Sequence, residues 1–332
     1  MADIQAPPLP PQAQPLSITL PHKPTASLSC AFVKGTTPTL IVHLNGLGLP
    51  QSHWWPSVTN YLTTFPSSHP SFLTYDRYGQ GTTTSPDPQD ESDQNKHLPP
   101  GHRHDITSVV SDLHALIQHV ALNYHQYELS KTVIVLVANS IGCAVARYYA
   151  QQYPRTVSGL ILLDSYMSDT TFIDIYPDPD GPSFNESELP EGVTVEDIRA
   201  AREGMGKLFH PTVVNKEGFW RGSVTDVLPH SYEPKLLAPG EGDERPYVTV
   251  VGHDWDIFAE ESLRMKGMTR LVAMNYTNVA WGKYNEGLLK ITSEERAKGV
   301  VIAKGAGHFV QQYRPDLVAE EVGRVVKLLE VS

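Results

Sequence analysis

Ser140 stands in the run Ala138-Asn139-Ser140-Ile141-Gly142, directly after the continuous apolar stretch Thr132 to Val137 and directly before residues of helical patterning. A serine between small residues, where a buried strand turns into a helix, has a mechanical reading. The turn is so tight that the positions two before and two after must carry almost no side chain, and the hydroxyl is held out over the sheet end on strained backbone. Such a hydroxyl is a weak nucleophile until a base takes its proton, and that base is a histidine oriented by a carboxylate. Among 14 histidines, His308 has the matching context: Gly305-Ala306-Gly307-His308-Phe309 follows the last predicted strand and precedes the last predicted helix. That placement carries its imidazole to the same sheet edge as Ser140.

Three carboxylates compete for the orienting role. Val250-Val251-Gly252-His253-Asp254-Trp255-Asp256 puts Asp254 and Asp256 just past a strand, and Asp164 ends the strand before it. Asp254 is favoured, with Asp164 and Asp256 as alternatives. An acyl-transfer site also needs rigid donors for the oxyanion, normally backbone N–H groups. Ile141 N–H, at the start of a helix where the macrodipole helps, is one. Leu44-Asn45-Gly46-Leu47-Gly48, after an early buried strand, supplies the other, assigned to Leu47 N–H; its glycines let backbone approach a substrate closely.

The elements that must position these groups are written in the apolar pattern. Residues 17–20, 26–33, 39–44, 71–75, 132–137, 159–163, 246–251 and 300–303 read as strands. Residues 55–63, 144–153, 194–208, 258–268 and 316–329 read as helices, and Ile106, Val109, Val110, Leu113, Leu116, Ile117 and Val120 fall at three and four residue spacings, the mark of an amphipathic helix over 106–120. Alternation of strand and helix implies a mostly parallel sheet covered by helices on both faces. Residues 1–13, with four prolines, read as a flexible leader, and 82–104 as a long polar loop, taken as a solvated excursion. From 166 to 245 the rhythm breaks. That segment, with a capping pattern at Thr194 and Asp197, reads as an insertion over the strand ends, leaving 14–165 and 246–332 as the core.

Composition narrows the function. Of 332 residues, 26 are Lys or Arg and 37 Asp or Glu, a formal charge of −11 that would repel a phosphate backbone, so nucleic acid is not an expected partner. Apolar runs fall far short of the ~20 residues that span a bilayer, so no membrane span is expected. The start has neither a basic nor an apolar signal segment. Cys30 and Cys143 read as free thiols of a reducing compartment, and a cytoplasmic location is expected. No His, Cys and Asp cluster has ligand spacing, so neither metal nor cofactor is implied.

From about residue 38 to 330 the chain resembles the α/β-hydrolase fold superfamily, on its serine-nucleophile, esterase- and lipase-like branch. Asn45-Gly46-Leu47-Gly48 stands where the family's oxyanion loop lies, with Trp54 or Trp55 where an aromatic often follows. Tyr75-Asp76-Arg77-Tyr78-Gly79-Gln80-Gly81 is similar to its Asp-x-x-Gly-x-Gly segment, 138–142 to its nucleophile elbow, and Gly307-His308-Phe309 to its histidine loop; the order serine, acid, histidine is also the family's. Three positions depart. Ala138 replaces the first elbow glycine, Asn45 replaces the common histidine, and the interval from Asp254 to His308 is long, which suggests an extra helix over the site.

A serine hydrolase is therefore expected, opening an ester, thioester or lactone through an acyl-enzyme on Ser140 with His308 as general base. A serine at the elbow argues against the branches whose chemistry needs a carboxylate nucleophile. Phe172, Ile173, Ile175, Tyr176, Phe184, Leu208, Phe209, Phe219 and Trp220 are expected to lid an apolar pocket for a small molecule, or to hold the insertion to the body. The same fold hosts lyases, carbon–carbon hydrolases and silent ligand receptors, which stay as rival readings.

Overall fold

The sheet accounts for most of the architecture. In a computed structural model that describes residues 6–10, 12–90, 92 and 97–331, eight strands form one sheet in the order β1-β2-β4-β3-β5-β6-β7-β8. They are β1 Gln14–Leu20, β2 Lys23–Val33, β3 Thr39–Leu44, β4 Ser71–Tyr75, β5 Val133–Asn139, β6 Val157–Leu163, β7 Tyr247–His253 and β8 Ala297–Ala303. β1 and β2 run antiparallel to their neighbours, and every pairing from β4 to β8 is parallel. The helices are α1 Trp55–Thr64, α2 Ile106–Val120, α3 Ile141–Gln152, α4 Val195–Phe209, α5 Gly222–Val227, α6 Trp255–Lys266, α7 Arg270–Val272, α8 Asn278–Leu288, α9 Val310–Tyr313 and α10 Pro315–Glu330.

The continuous apolar runs of β3 and β5 follow from burial on both faces. Leu40, Val42, Leu44 and Leu136 point into one core with α2 and α3, while Ile41, Val135 and Val137 point into a second with α1 and α10. Period-two geometry sends successive side chains to opposite faces, so neither face tolerates a polar break. All parallel strands end at one edge, where loops carrying chemistry collect.

Two expectations are corrected or refined here. The polar loop is no solvated excursion: Asp87, Leu98, His102 and His104 are buried, whereas residues 91 and 93–96 lie outside the described ones. The cause is Lys23, whose ammonium is buried and held by Asp87 at 2.5 Å and Asp112 at 2.7 Å. A buried cation is costly unless paired, so the loop is drawn in to supply a carboxylate. The leader's residues 1–5 and 11 also lie outside the described ones; residues 6–10 carry neither helix nor strand.

From Asp164 to Pro246 the chain holds α4 and α5 and no strand, then rejoins the sheet as β7. The Thr194–Asp197 capping box forms at the start of α4. No helix among the described residues is long and apolar enough to cross a membrane.

Candidate active site

Ser140 joins β5 to α3 with φ +56° and ψ −124°, a conformation L side chains rarely adopt. Neighbouring atoms show why small residues flank it. A Cβ on Gly142 would stand 2.5 Å from the Leu44 carbonyl oxygen and 2.8 Å from that of Asn45, and a Cβ on Gly46 would stand 3.3 Å from Ser140 Cβ. The start of α3 and the loop after β3 thus touch through glycine. Beneath the turn, Cys143 donates to the Ala138 carbonyl at 3.2 Å, and burial pushes its thiol up to about 12, so it stays a neutral thiol.

His308 arrives on the loop after β8. Its Nε2 lies 3.0 Å from Ser140 Oγ. Asn139 fastens that loop to the elbow, its Nδ2 donating to the carbonyls of Leu163 at 3.1 Å and His308 at 3.0 Å. Trp281 of α8 leans on the imidazole with ring centroids 5.8 Å apart and donates its indole N–H to the Ser165 carbonyl at 2.8 Å. The long interval between Asp254 and His308 is spent on α6, α7 and α8.

The carboxylate against His308 is Asp164, not the favoured Asp254. Asp164 ends β6 at φ +43° and is fully buried, with Oδ2 2.5 Å from His308 Nδ1. Burial alone would raise its carboxyl, but the charge and hydrogen bond of His253, followed by those of His308, hold it well below the usual carboxylate range. Asp254 instead caps α6. Its side chain accepts from Asp256 N at 3.1 Å and from Gly305 N at 3.1 Å, pinning the turn after β8. Asp256 is exposed and paired with Arg270. The reason is local: a residue one position past a strand and opening a helix has its carboxylate consumed by the first-turn N–H groups.

The loop after β3 is braced by a network that sequence reading missed in part. Arg77 donates to the carbonyls of Asn45 at 2.8 Å and Gly46 at 3.1 Å, and its Nε to Glu217 Oε2 at 2.9 Å. Glu217 Oε1 accepts from Gly48 N at 2.5 Å and from Gln80 Nε2 at 3.0 Å. Asn45, in place of the expected histidine, gives Nδ2 to the Tyr75 carbonyl and Gln80 Oε1 and takes the Trp54 indole N–H at 2.7 Å. Among the described residues Leu47 N–H has no acceptor, and Ile141 N–H is the first of α3, without an intrahelical one. Glu217 lies in the 166–245 segment, and nothing near it in sequence announces an ion pair with Arg77.

Glu217→Gln keeps the side-chain shape but removes the charge that two donors and a backbone N–H converge on. For the ester opening expected from the sequence, it should lower kcat/KM about 100-fold, mainly through kcat, because a loop displaced by an ångström misplaces the donor expected from it. Steady-state kinetics beside circular dichroism check this; an unchanged kcat in a folded variant would show the brace to be irrelevant to turnover.

Above Ser140 and His308 a cavity of about 870 Å³, its mouth included, is walled by Leu47, Leu49, Phe209, Phe258, Met265 and Trp281. Of the aromatic residues expected to form a lid, Phe209 reaches the cavity, together with Leu208. Phe172 and Phe219 are buried and hold the segment to the body instead, Phe172 against Tyr166 and Trp281 and Phe219 against His104. Arg221 donates to the carbonyls of Leu208, His210 and Val213, which ties down the end of α4 beside the cavity. Phe258 and Met265 place α6 on the cavity wall, a helix inside the long interval from Asp254 to His308 that suggested one over the site; which of its residues face the cavity could not be read, since its apolar face reads equally well as core. Among the described residues the one group of ligand-type side chains close enough to share an ion, Asp87, Asp90 and His104, lines no part of this cavity, and its Asp87 is engaged by Lys23.

A model of the alpha/beta hydrolase family matches residues 41–321. Among solved structures, an epoxide hydrolase from Vigna radiata is similar at 15% identity and TM-score 0.54, over 95% of this chain and 98% of that one. A thermophilic esterase from Thermogutta terrifontis is similar at 18% identity and TM-score 0.51, over 95% and 98%. The alpha/beta hydrolase domain-containing protein 10 from mouse is similar at 14% identity and TM-score 0.55, over 96% and 100%. At such identities the likeness concerns the fold. No curated protein matches the chain by sequence.

Proposed function

The chain belongs to the alpha/beta hydrolase family, and from that premise we propose that it is a serine hydrolase opening an ester, thioester or lactone of an apolar small molecule. One observation carries the reading: a single imidazole, that of His308, lies between Ser140 Oγ at 3.0 Å and Asp164 Oδ2 at 2.5 Å. His308 takes the Ser140 proton as the oxygen attacks the carbonyl carbon. The N–H groups of Leu47 and Ile141 receive the oxyanion, in a site whose positive φ and helix N-terminus are set before substrate arrives. His308 then passes its proton to the leaving alcohol or thiol. A water, deprotonated by the same imidazole, releases the acid and restores the serine.

The elbow offers a hydroxyl, as an acyl-enzyme needs, and the mostly apolar walls, with Arg221 and Glu261 among them, favour an apolar substrate. A fluorophosphonate should label Ser140, and short aryl esters should give a burst of acylation. A folded protein that neither labels nor turns over any ester would favour a receptor or a lyase on the same fold.

A further inference from the structure

Asp164 serves two imidazoles. While Oδ2 faces His308, Oδ1 lies 2.7 Å from Nδ1 of His253 and accepts the His253 backbone N–H at 3.3 Å. On the far side of that ring, Nε2 is 3.1 Å from Asn278 Oδ1. The amide cannot be turned over, because its Nδ2 donates to the Trp255 carbonyl at 3.1 Å and faces Met274 Sδ at 3.3 Å; an oxygen there would meet two acceptors. Nε2 must therefore carry a proton. Nδ1, against a carboxylate, needs one as well.

We propose that His253 is a standing imidazolium, a positioning residue that donates from both ring nitrogens and cancels the charge of Asp164, so that His308 becomes available as a base at lower pH than a carboxylate alone would allow. This rests on the reading of Ser140, His308 and Asp164 as a relay. A buried cation needs such partners: His253 is 2% exposed, stacked on Phe258 at 4.0 Å and met edge-on by Trp281 at 5.7 Å. Three N–H groups face Asp164, the His253 backbone and Nδ1 of both His253 and His308, and that convergence favours the carboxylate and leaves the shared proton on the ring.

Among the described residues, charged groups near the ring are engaged elsewhere or stand at the wall of a cavity beside it. Asp254 is held by Gly305 N and faces Lys304 at 3.8 Å, Asp256 pairs with Arg270, and Glu261 of α6 lies 3.4 Å from His308 N. Glu286 of α8 and Lys304 line that cavity.

Two measurements test the inference. In wild-type enzyme labelled with ¹⁵N-histidine, both His253 ring nitrogens should be protonated at about pH 8, where an ordinary imidazole is neutral; His253→Gln assigns the signals. A singly protonated ring overturns the proposal, whatever the enzyme's activity. The second readout is the pH profile of the rate at which a fluorophosphonate labels Ser140. In His253→Gln an amide still donates to Asp164 but its charge stays uncancelled, so the acid limb should move up by about one pH unit. A limb that stays in place while only the plateau falls would mean a purely structural role. Should His253→Gln not fold, Asn278→Leu, which removes the Nε2 acceptor, should move the limb the same way by less, and an unmoved limb there overturns the proposal. Loss of labelling in wild type would instead overturn the relay itself, leaving the nuclear magnetic resonance result to decide the state of His253.

Discussion

Ser140→Ala should reduce ester hydrolysis by about 10⁴-fold or more and abolish fluorophosphonate labelling, with His308→Ala falling to a similar level. In the proposed mechanism the two groups act on one proton. Without the hydroxyl there is nothing for the imidazole to deprotonate, and without the imidazole the hydroxyl keeps its proton at neutral pH. The double variant should accordingly be no worse than either single one, a non-additivity that distinguishes a shared step from two independent supports. Residual turnover would come from the oxyanion donors and the cavity, which neither change touches. The fold should survive Ser140→Ala, because the positive φ at this turn is already imposed on a residue with a Cβ. Steady-state kinetics on a reactive aryl ester, with thermal unfolding alongside, read both effects; turnover within a few-fold of wild type in the folded variant would remove Ser140 from the chemistry.

Legibility of the chain followed the range of the interaction involved. The apolar runs of β3, β5 and β6 could be read because a strand buried on both faces excludes polar residues at every position, a rule that needs no knowledge of neighbours. Ser140 was readable for the same reason: the space around Gly142 is set by a turn and by the strand next to it. His308 followed from its place after the last strand. What could not be read is pairing across long separations. Lys23 and Asp87, Arg77 and Glu217, or Asp164 and His253 meet only once the sheet has closed. Each of these charges read by itself is a loop or strand-end residue. The polar loop 82–104 shows the consequence, since its composition says solvent while one buried ammonium says otherwise.

The choice among carboxylates is the sharpest instance, and it yields the second large effect. Asp164 and Asp254 sit at the ends of adjacent strands, tied by Asp164 N to the Val251 carbonyl at 2.7 Å, so strand position alone cannot rank them. The neighbouring backbone does. Asp254 opens α6 and is drawn to the N–H groups of Asp256 and Gly305, whereas Asp164 stands at φ +43° with α3 and not its own helix beside it, leaving both oxygens for imidazoles. Asp164→Asn should therefore cut kcat by about 10⁴-fold, since an amide cannot accept from two ring N–H groups and would turn His308 toward the wrong tautomer. It also leaves His253 without its counter-charge. The stability side has a definite sign: a carboxyl lowered in the folded state adds stability above its unfolded value, and that contribution is lost as pH falls below the ordinary carboxylate range. Asp164→Asn should thus lower the unfolding midpoint at neutral pH and flatten its decline in acid. Asp254→Asn, which keeps an acceptor for the cap, should retain turnover within a few-fold of wild type. The reverse ranking of the two variants, measured by kcat on one ester, would return the orienting role to Asp254.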